Sequence, residues 1–147
     1  MEEVTPKEYL RQLRVFSIKI QQKKDELESL KAAAENVTAS IDNERVQTSP
    51  KDRMPEDISR IVDLESEIYK DIQELLILKN KIINEIQELS NPVYIEILYK
   101  RYVEYKSLEE IAVRMSYSYR QIKRLHGYAL QAFRKQFQNY FARSRRK

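Results

Sequence analysis

Tyr119, Arg120, Lys123 and Arg124 are the side chains with the most binding chemistry to offer in this chain. Their spacing places three cations and a phenol on the outward side of a helix's opening turns. A guanidinium takes a guanine edge in bidentate fashion, and an ammonium binds a phosphate or a guanine. A phenol reaches a phosphate or packs on a thymine methyl. Gln121 suits an adenine edge or a backbone contact, and Ser118 precedes the group as a helix cap. His126 follows on the same helix, as a phosphate contact or a packed helix position. The expected contact set is therefore Ser118, Tyr119, Arg120, Gln121, Lys123, Arg124 and His126.

Bond-making chemistry has less to work with. There is no Cys, one His and one Gly. That excludes a thiol nucleophile, a His-clustered metal site, a Cys-based metal site and a Gly-rich phosphate loop. The carboxylates fall on helix faces expected to be solvated. The expectation is no enzyme, no cofactor and no metal.

The elements that must position the contact set are short and well marked. Ser107 and Glu110 form a capping box, so a helix is predicted from Leu108 to Met115. Ile111, Ala112 and Met115 point inward, and the small Ala112 allows a second helix to come close. Met115-Ser116-Tyr117 is the turn, with Ser116 at a position often held by Gly. Ser118 opens the next helix, whose buried line is Ile122, Leu125, Ala129 and Phe133. Capped helix, tight turn and basic helix together make a helix-turn-helix, a device for placing side chains in a DNA major groove. Gly127, inside the second helix, fits close approach by another helix or by DNA.

Charge supports this placement. The chain has 147 residues and a net charge of +4, but residues 1–54 carry net 0, residues 55–91 net −5 and residues 92–147 net +9. A polyanion would meet the C-terminal third. The end Arg143-Ser-Arg-Arg-Lys147 is suited to run along a phosphate backbone.

The remaining chain reads as long helices, with 34% charged residues and four Pro. Thr5-Pro6 opens a helix of about residues 5–41, with apolar rows Leu13, Ile20, Leu27, Ala34, Ile41 and Tyr9, Phe16, Leu30, Val37; Lys23 interrupts the seam. Residues 42–55, with Pro50 and Pro55, are a loop. A second helix of about 55–89 carries the heptad Ile61, Ile68, Leu75, Ile82. Its apolar face is wide enough to touch more than one helix, so this row is expected to oligomerise the chain, a dimer being favoured. Asn91-Pro92 starts a short helix reaching about Glu104. The expected fold is all-α, with a helical arm over 1–90 and a helix-turn-helix domain over 91–147. No apolar run is long enough for a membrane span, and no secretory signal is evident, which favours a cytoplasmic protein with no membrane partner.

The run Leu98-Tyr-Lys-Arg-Tyr-Val-Glu-Tyr-Lys-Ser-Leu-Glu-Glu-Ile-Ala-Val-Arg-Met-Ser-Tyr-Ser-Tyr-Arg-Gln-Ile-Lys-Arg-Leu-His-Gly-Tyr-Ala-Leu130 resembles region 4 of bacterial sigma factors, a promoter-binding helix-turn-helix. Arg124-Leu-His-Gly-Tyr-Ala-Leu130, with the charged helices before it, is similar to small phage-encoded regulators of the ArpU and RinA type. The specific resemblance covers about residues 92–135. It implies a DNA-binding transcription regulator of phage or prophage origin acting on late-gene promoters, in a bacterial host and associated with its nucleoid. Tyr119, Arg120, Lys123 and Arg124 would be the reading positions. Two other roles fit the residues: a packaging-site binder like a phage small terminase subunit, and a helical interaction module contacting RNA polymerase through the acidic second helix.

Overall fold

The structure, a computed structural model, describes residues 4–43 and 54–145, with backbone alone at 37–43, 54, 55, 57 and 139–145. Residues 44–53 of the expected loop, with Pro50, lie outside the described residues, as do Arg146 and Lys147 of the basic end and the side chains of Val37 and Ile41.

The chain is all-α. Its helices are α1 (Pro6–Asn43), α2 (Met54–Gln87), α3 (Pro92–Leu98), α4 (Leu108–Met115) and α5 (Tyr119–Arg145), with a π-helical turn at Tyr99–Val103 after α3. No helix among the described residues is long and apolar enough to cross a membrane. The starts of α1, α3, α4 and α5 have local causes. The Thr5 hydroxyl accepts from the Glu8 amide at 3.2 Å, and the Glu8 carboxylate accepts from the Thr5 amide at 3.4 Å. This capping box stands directly before Pro6, whose missing N–H costs nothing there. Asn91 accepts from the Val93 amide at 2.9 Å and sets Pro92 at the first helical position.

The chain forms two compact units, one of residues 1–15 with 76–147, the other of residues 16–75. This division differs from the one expected at 90/91. The opening turns of α1 belong with the C-terminal helices because Leu10 and Leu13 are fully buried and Tyr9 meets aromatic side chains of α5. The Tyr9 ring lies 5.2 Å from that of Phe137 and 6.0 Å from that of Phe133. Its hydroxyl donates to the Glu85 carboxylate at 2.7 Å.

In the other unit, Ile20 of α1 and Leu64 and Ile68 of α2 are buried. Ion pairs border them: Lys23 with Asp71 and Glu67, Arg60 with Glu26, and Lys31 with Glu65. Rising numbers on α1 meet falling numbers on α2, so these stretches run antiparallel. Lys23, an interruption in the apolar seam, is used by reaching two carboxylates across it.

Half of the row expected to oligomerise the chain is taken up by the chain itself. Ile68 and Ile82 are buried within a single chain, and Ile61 and Leu75 are half-buried. A helix packing against its own neighbour uses its most continuous heptad first, since each fully buried Ile or Leu contributes about 1.5–3 kcal/mol. Left outside on α2 in this unit are Ile58, Val62 and Tyr69, the last 66% exposed, and on α1 Ile18.

Candidate nucleic-acid interface

Ile97 of α3, Ile111 and Ala112 of α4 and Ile122 of α5 form one buried cluster, with Val93, Leu108, Met115 and Leu125 packed around it. Ala112 is buried in this cluster, between isoleucines of three elements. The base on which α5 is set is therefore a packed apolar core whose members come from three short-range elements.

The turn between α4 and α5 is fixed by backbone hydrogen bonds. Ser116 adopts a left-handed conformation, φ 59° and ψ 38°. The Tyr117 amide donates to the Ala112 carbonyl at 3.0 Å and the Ser116 amide to the Val113 carbonyl at 3.3 Å. These two bonds are a Schellman closure, which satisfies carbonyls that the end of α4 would otherwise leave unpaired. Glycine usually takes the left-handed position; serine takes it here at a conformational cost of about 1 kcal/mol.

Two residues later α5 begins. The Ser118 hydroxyl accepts from the Gln121 amide at 3.1 Å, and Gln121 Oε1 accepts from the Ser118 amide at 3.1 Å. Ser118 and Gln121, both expected to contact DNA, thus form a reciprocal capping box. The Gln121 carbonyl end is engaged in holding the helix start, which leaves its Nε2 as the group able to face a ligand. At the start of α4, the Ser107 hydroxyl accepts from the Glu110 amide at 3.2 Å.

Tyr119, Arg120, Lys123 and Arg124 are all exposed, on the side of α5 opposite buried Ile122, Ala129 and Phe133. The structure brings these four together on one face. Three- and four-residue steps continue that face through Tyr128, Arg134 and Lys135, also exposed, and α5 has no acidic residue in its 27 positions. Tyr128, Arg134 and Lys135 are additions to the expected set; the absence of any acid from Tyr119 to Arg145 was the signal that could have found them. Gly127 lies on this face, with nothing within 4 Å of where a Cβ would stand. No neighbouring helix of the described residues needs a glycine there.

His126 is a correction to the contact set. It is 8% exposed, and its Nε2 lies 2.8 Å from the Tyr102 hydroxyl, with the two rings 5.7 Å apart. Burial, helped by the nearby charges of Arg101 and Lys7, lowers its pKa from 6.5 to about 4. It is a neutral packed imidazole at pH 7. Burial raises the pKa of Tyr102, so the phenol keeps its proton and the pair is a hydrogen bond between neutral groups. The π turn gives Tyr102 its place. The Glu104 amide bonds to the Tyr99 carbonyl at 3.1 Å, five residues back, and Tyr102 and Val103 are buried. An uninterrupted helix to Glu104 was expected; the wider turn replaces its last part.

Compared with known proteins, the chain matches no family model, no curated protein and no solved structure.

Proposed function

We propose that the chain is a sequence-specific DNA-binding regulator of transcription, of phage or prophage origin, acting at late-gene promoters. The observation that carries this reading is the exposed, acid-free face of α5, rooted by two caps and a Schellman closure on a packed three-helix base. Cations held in such an array neutralise backbone phosphates, and those at the helix start read base edges. Arg120, Lys123 and Arg124 are the reading cations, with Tyr119 beside them.

The protein acts as a dimer through α2. Ile58, Val62 and Tyr69 leave an apolar strip in water, and the occupant that fits it is a second copy. Antiparallel two-fold pairing sets Val62 of one copy against Tyr69 of the other. The same register brings exposed Asp63 of each copy beside exposed Lys70 of the other, so the charges flanking the strip complement themselves.

Selection of fragmented host and prophage DNA on the full chain at near-physiological salt tests the reading. Enrichment of one discrete site upstream of a phage operon is expected. Enrichment at the packaging genes would instead favour a packaging-site binder, and uniform recovery of all fragments would rule out sequence-specific regulation.

A further inference from the structure

A second basic cluster lies in the unit of residues 1–15 and 76–147 and uses no residue of α5. A cavity of about 340 Å³ opens between the first turns of α1 and the segment that runs from the π turn to α4. Lys7, Arg11 and Arg14 line it from α1, at four- and three-residue steps that place them on one side of the helix. Arg101 lines it from the π turn, and no carboxylate of the described residues lines it.

None of these four cations forms an ion pair among the described residues. In the other unit, by comparison, Lys23, Lys31 and Arg60 each have a carboxylate partner. Four like charges around one cavity repel one another, and no carboxylate of the described residues pairs with them. Their field reaches the residues behind the wall. Arg101 and Lys7 both disfavour protonation of His126, and Arg101 and Arg11 both favour ionisation of Tyr102.

The walls are also held in place. Arg101 Nη1 donates to the Lys106 carbonyl at 3.0 Å, which fixes one edge of its fork and leaves the other N–H groups for a ligand. The Arg14 guanidinium stands 5.5 Å from the centroid of the Tyr105 ring. Tyr105 itself has φ 61°, a left-handed backbone that turns the chain from the π turn toward Ser107.

We propose that this cavity is a binding site for a phosphoryl group, presented either by a nucleic-acid backbone or by a small phosphorylated compound. Three planar guanidinium forks match phosphate oxygens in bidentate fashion, and four positive charges suit a group carrying more than one negative charge. The volume is at the lower end of the range of small-ligand sites and admits more than a lone phosphate. The site does not rest on α5 reading DNA, since substitutions that test α5 touch none of its walls.

The test uses the full chain, inorganic pyrophosphate as probe, and the double variant Arg11→Gln with Arg14→Gln. Both side chains are exposed on α1 and Gln is a good helix former, so the fold is retained; Lys7→Gln with Arg11→Gln serves as a second variant. Calorimetric titration, and the ring resonance of His126 as the chain's single histidine, are read in chloride buffer. A short DNA duplex is then titrated into the same proteins. Weakening of pyrophosphate binding by about tenfold or more in both variants, with duplex affinity unchanged, identifies a free phosphorylated ligand. A comparable loss in duplex affinity, with pyrophosphate displacing the duplex, identifies a backbone phosphate. Variants indistinguishable from wild type in both titrations would overturn the site.

Discussion

The hydroxyl of Tyr102 and Nε2 of His126 stand 2.8 Å apart inside the helix-turn-helix unit, and each is the polar group the other needs. His126 comes from the helix that carries the basic face, Tyr102 from the π turn before α4. Tyr102→Phe leaves a buried ring nitrogen without its partner and is expected to cost about 1–3 kcal/mol. The same pair predicts a pH dependence. The folded imidazole titrates near 4 and the unfolded one near 6.5, so the unfolded chain takes up the proton first. Stability from this group is complete above pH 6.5 and falls as pH drops toward 4, by about 3 kcal/mol. Urea unfolding of wild type and His126→Gln at pH 7 and pH 4.5 checks it: a stability difference that does not change between the two pH values would mean that His126 is not held neutral.

Ser116 holds a left-handed backbone without being glycine. Ser116→Gly is expected to raise stability by about 0.5–1 kcal/mol, relief of the Cβ clash outweighing the added freedom of the unfolded chain. Thermal unfolding reads this directly; a loss of stability would mean that the serine side chain contributes more than its backbone costs.

Arg120, Lys123 and Arg124 are expected to separate by function. Arg→Ala at a base-reading position should cost about 1–3 kcal/mol for the selected site and relax discrimination there. Loss of a phosphate-binding cation should weaken all sequences alike and lower the salt slope by about 1. Gln121→Ala should act mainly on the helix start, reducing stability by about 1 kcal/mol. Affinities over a salt series, beside unfolding curves, assign each residue to one class. Unchanged affinity in the triple Ala variant would leave α5 without a role in DNA binding.

Gly127 has open space around it and sits in a helix interior. Gly127→Ala should therefore stabilise the free protein by about 0.5–1 kcal/mol. If the glycine admits a DNA backbone, the same variant binds duplex more weakly while melting higher. Higher melting with unaltered binding would show that nothing approaches there.

Val62→Glu with Tyr69→Glu places two charges on the exposed strip of α2 and should convert a dimer to a monomer, with the melting temperature of the dilute protein unchanged. Sedimentation equilibrium reports the mass. Ile68→Asp is not an equivalent variant, because Ile68 is buried within its own chain and its replacement would unfold the hairpin unit. A wild-type protein that sediments as a monomer at all concentrations would remove the proposed pairing.

What could be read from the residues was what local chemistry decides. Thr5, Asn91, Ser107 and Ser118 mark the starts of four helices through hydrogen bonds that span two or three residues, and each was legible. The inward line Ile122, Ala129, Phe133 followed from helical period alone. His126 was misplaced because its side of α5 is covered by Tyr102, a residue positioned by a π turn that leaves no periodic trace. Ile68 and Ile82 carried the right pattern for burial, but a heptad does not say whether its partner is its own chain or another. The pocket of Lys7, Arg11, Arg14 and Arg101 depends on a pairing across most of the chain, so neither half revealed it.

Tyr9 and Phe133, whose ring centroids lie 6.0 Å apart, are far apart in sequence, one on α1 and the other on α5. Tyr9 is made long before the two rings it meets on α5. Phe133 and Phe137 would be uncovered in a fragment of residues 92–147, which should fold less stably than the same residues in the full chain. Contacts of such sequence separation form late and slowly, so a fragment that carries Tyr119, Arg120, Lys123 and Arg124 without Tyr9 lacks part of the packing that holds α5.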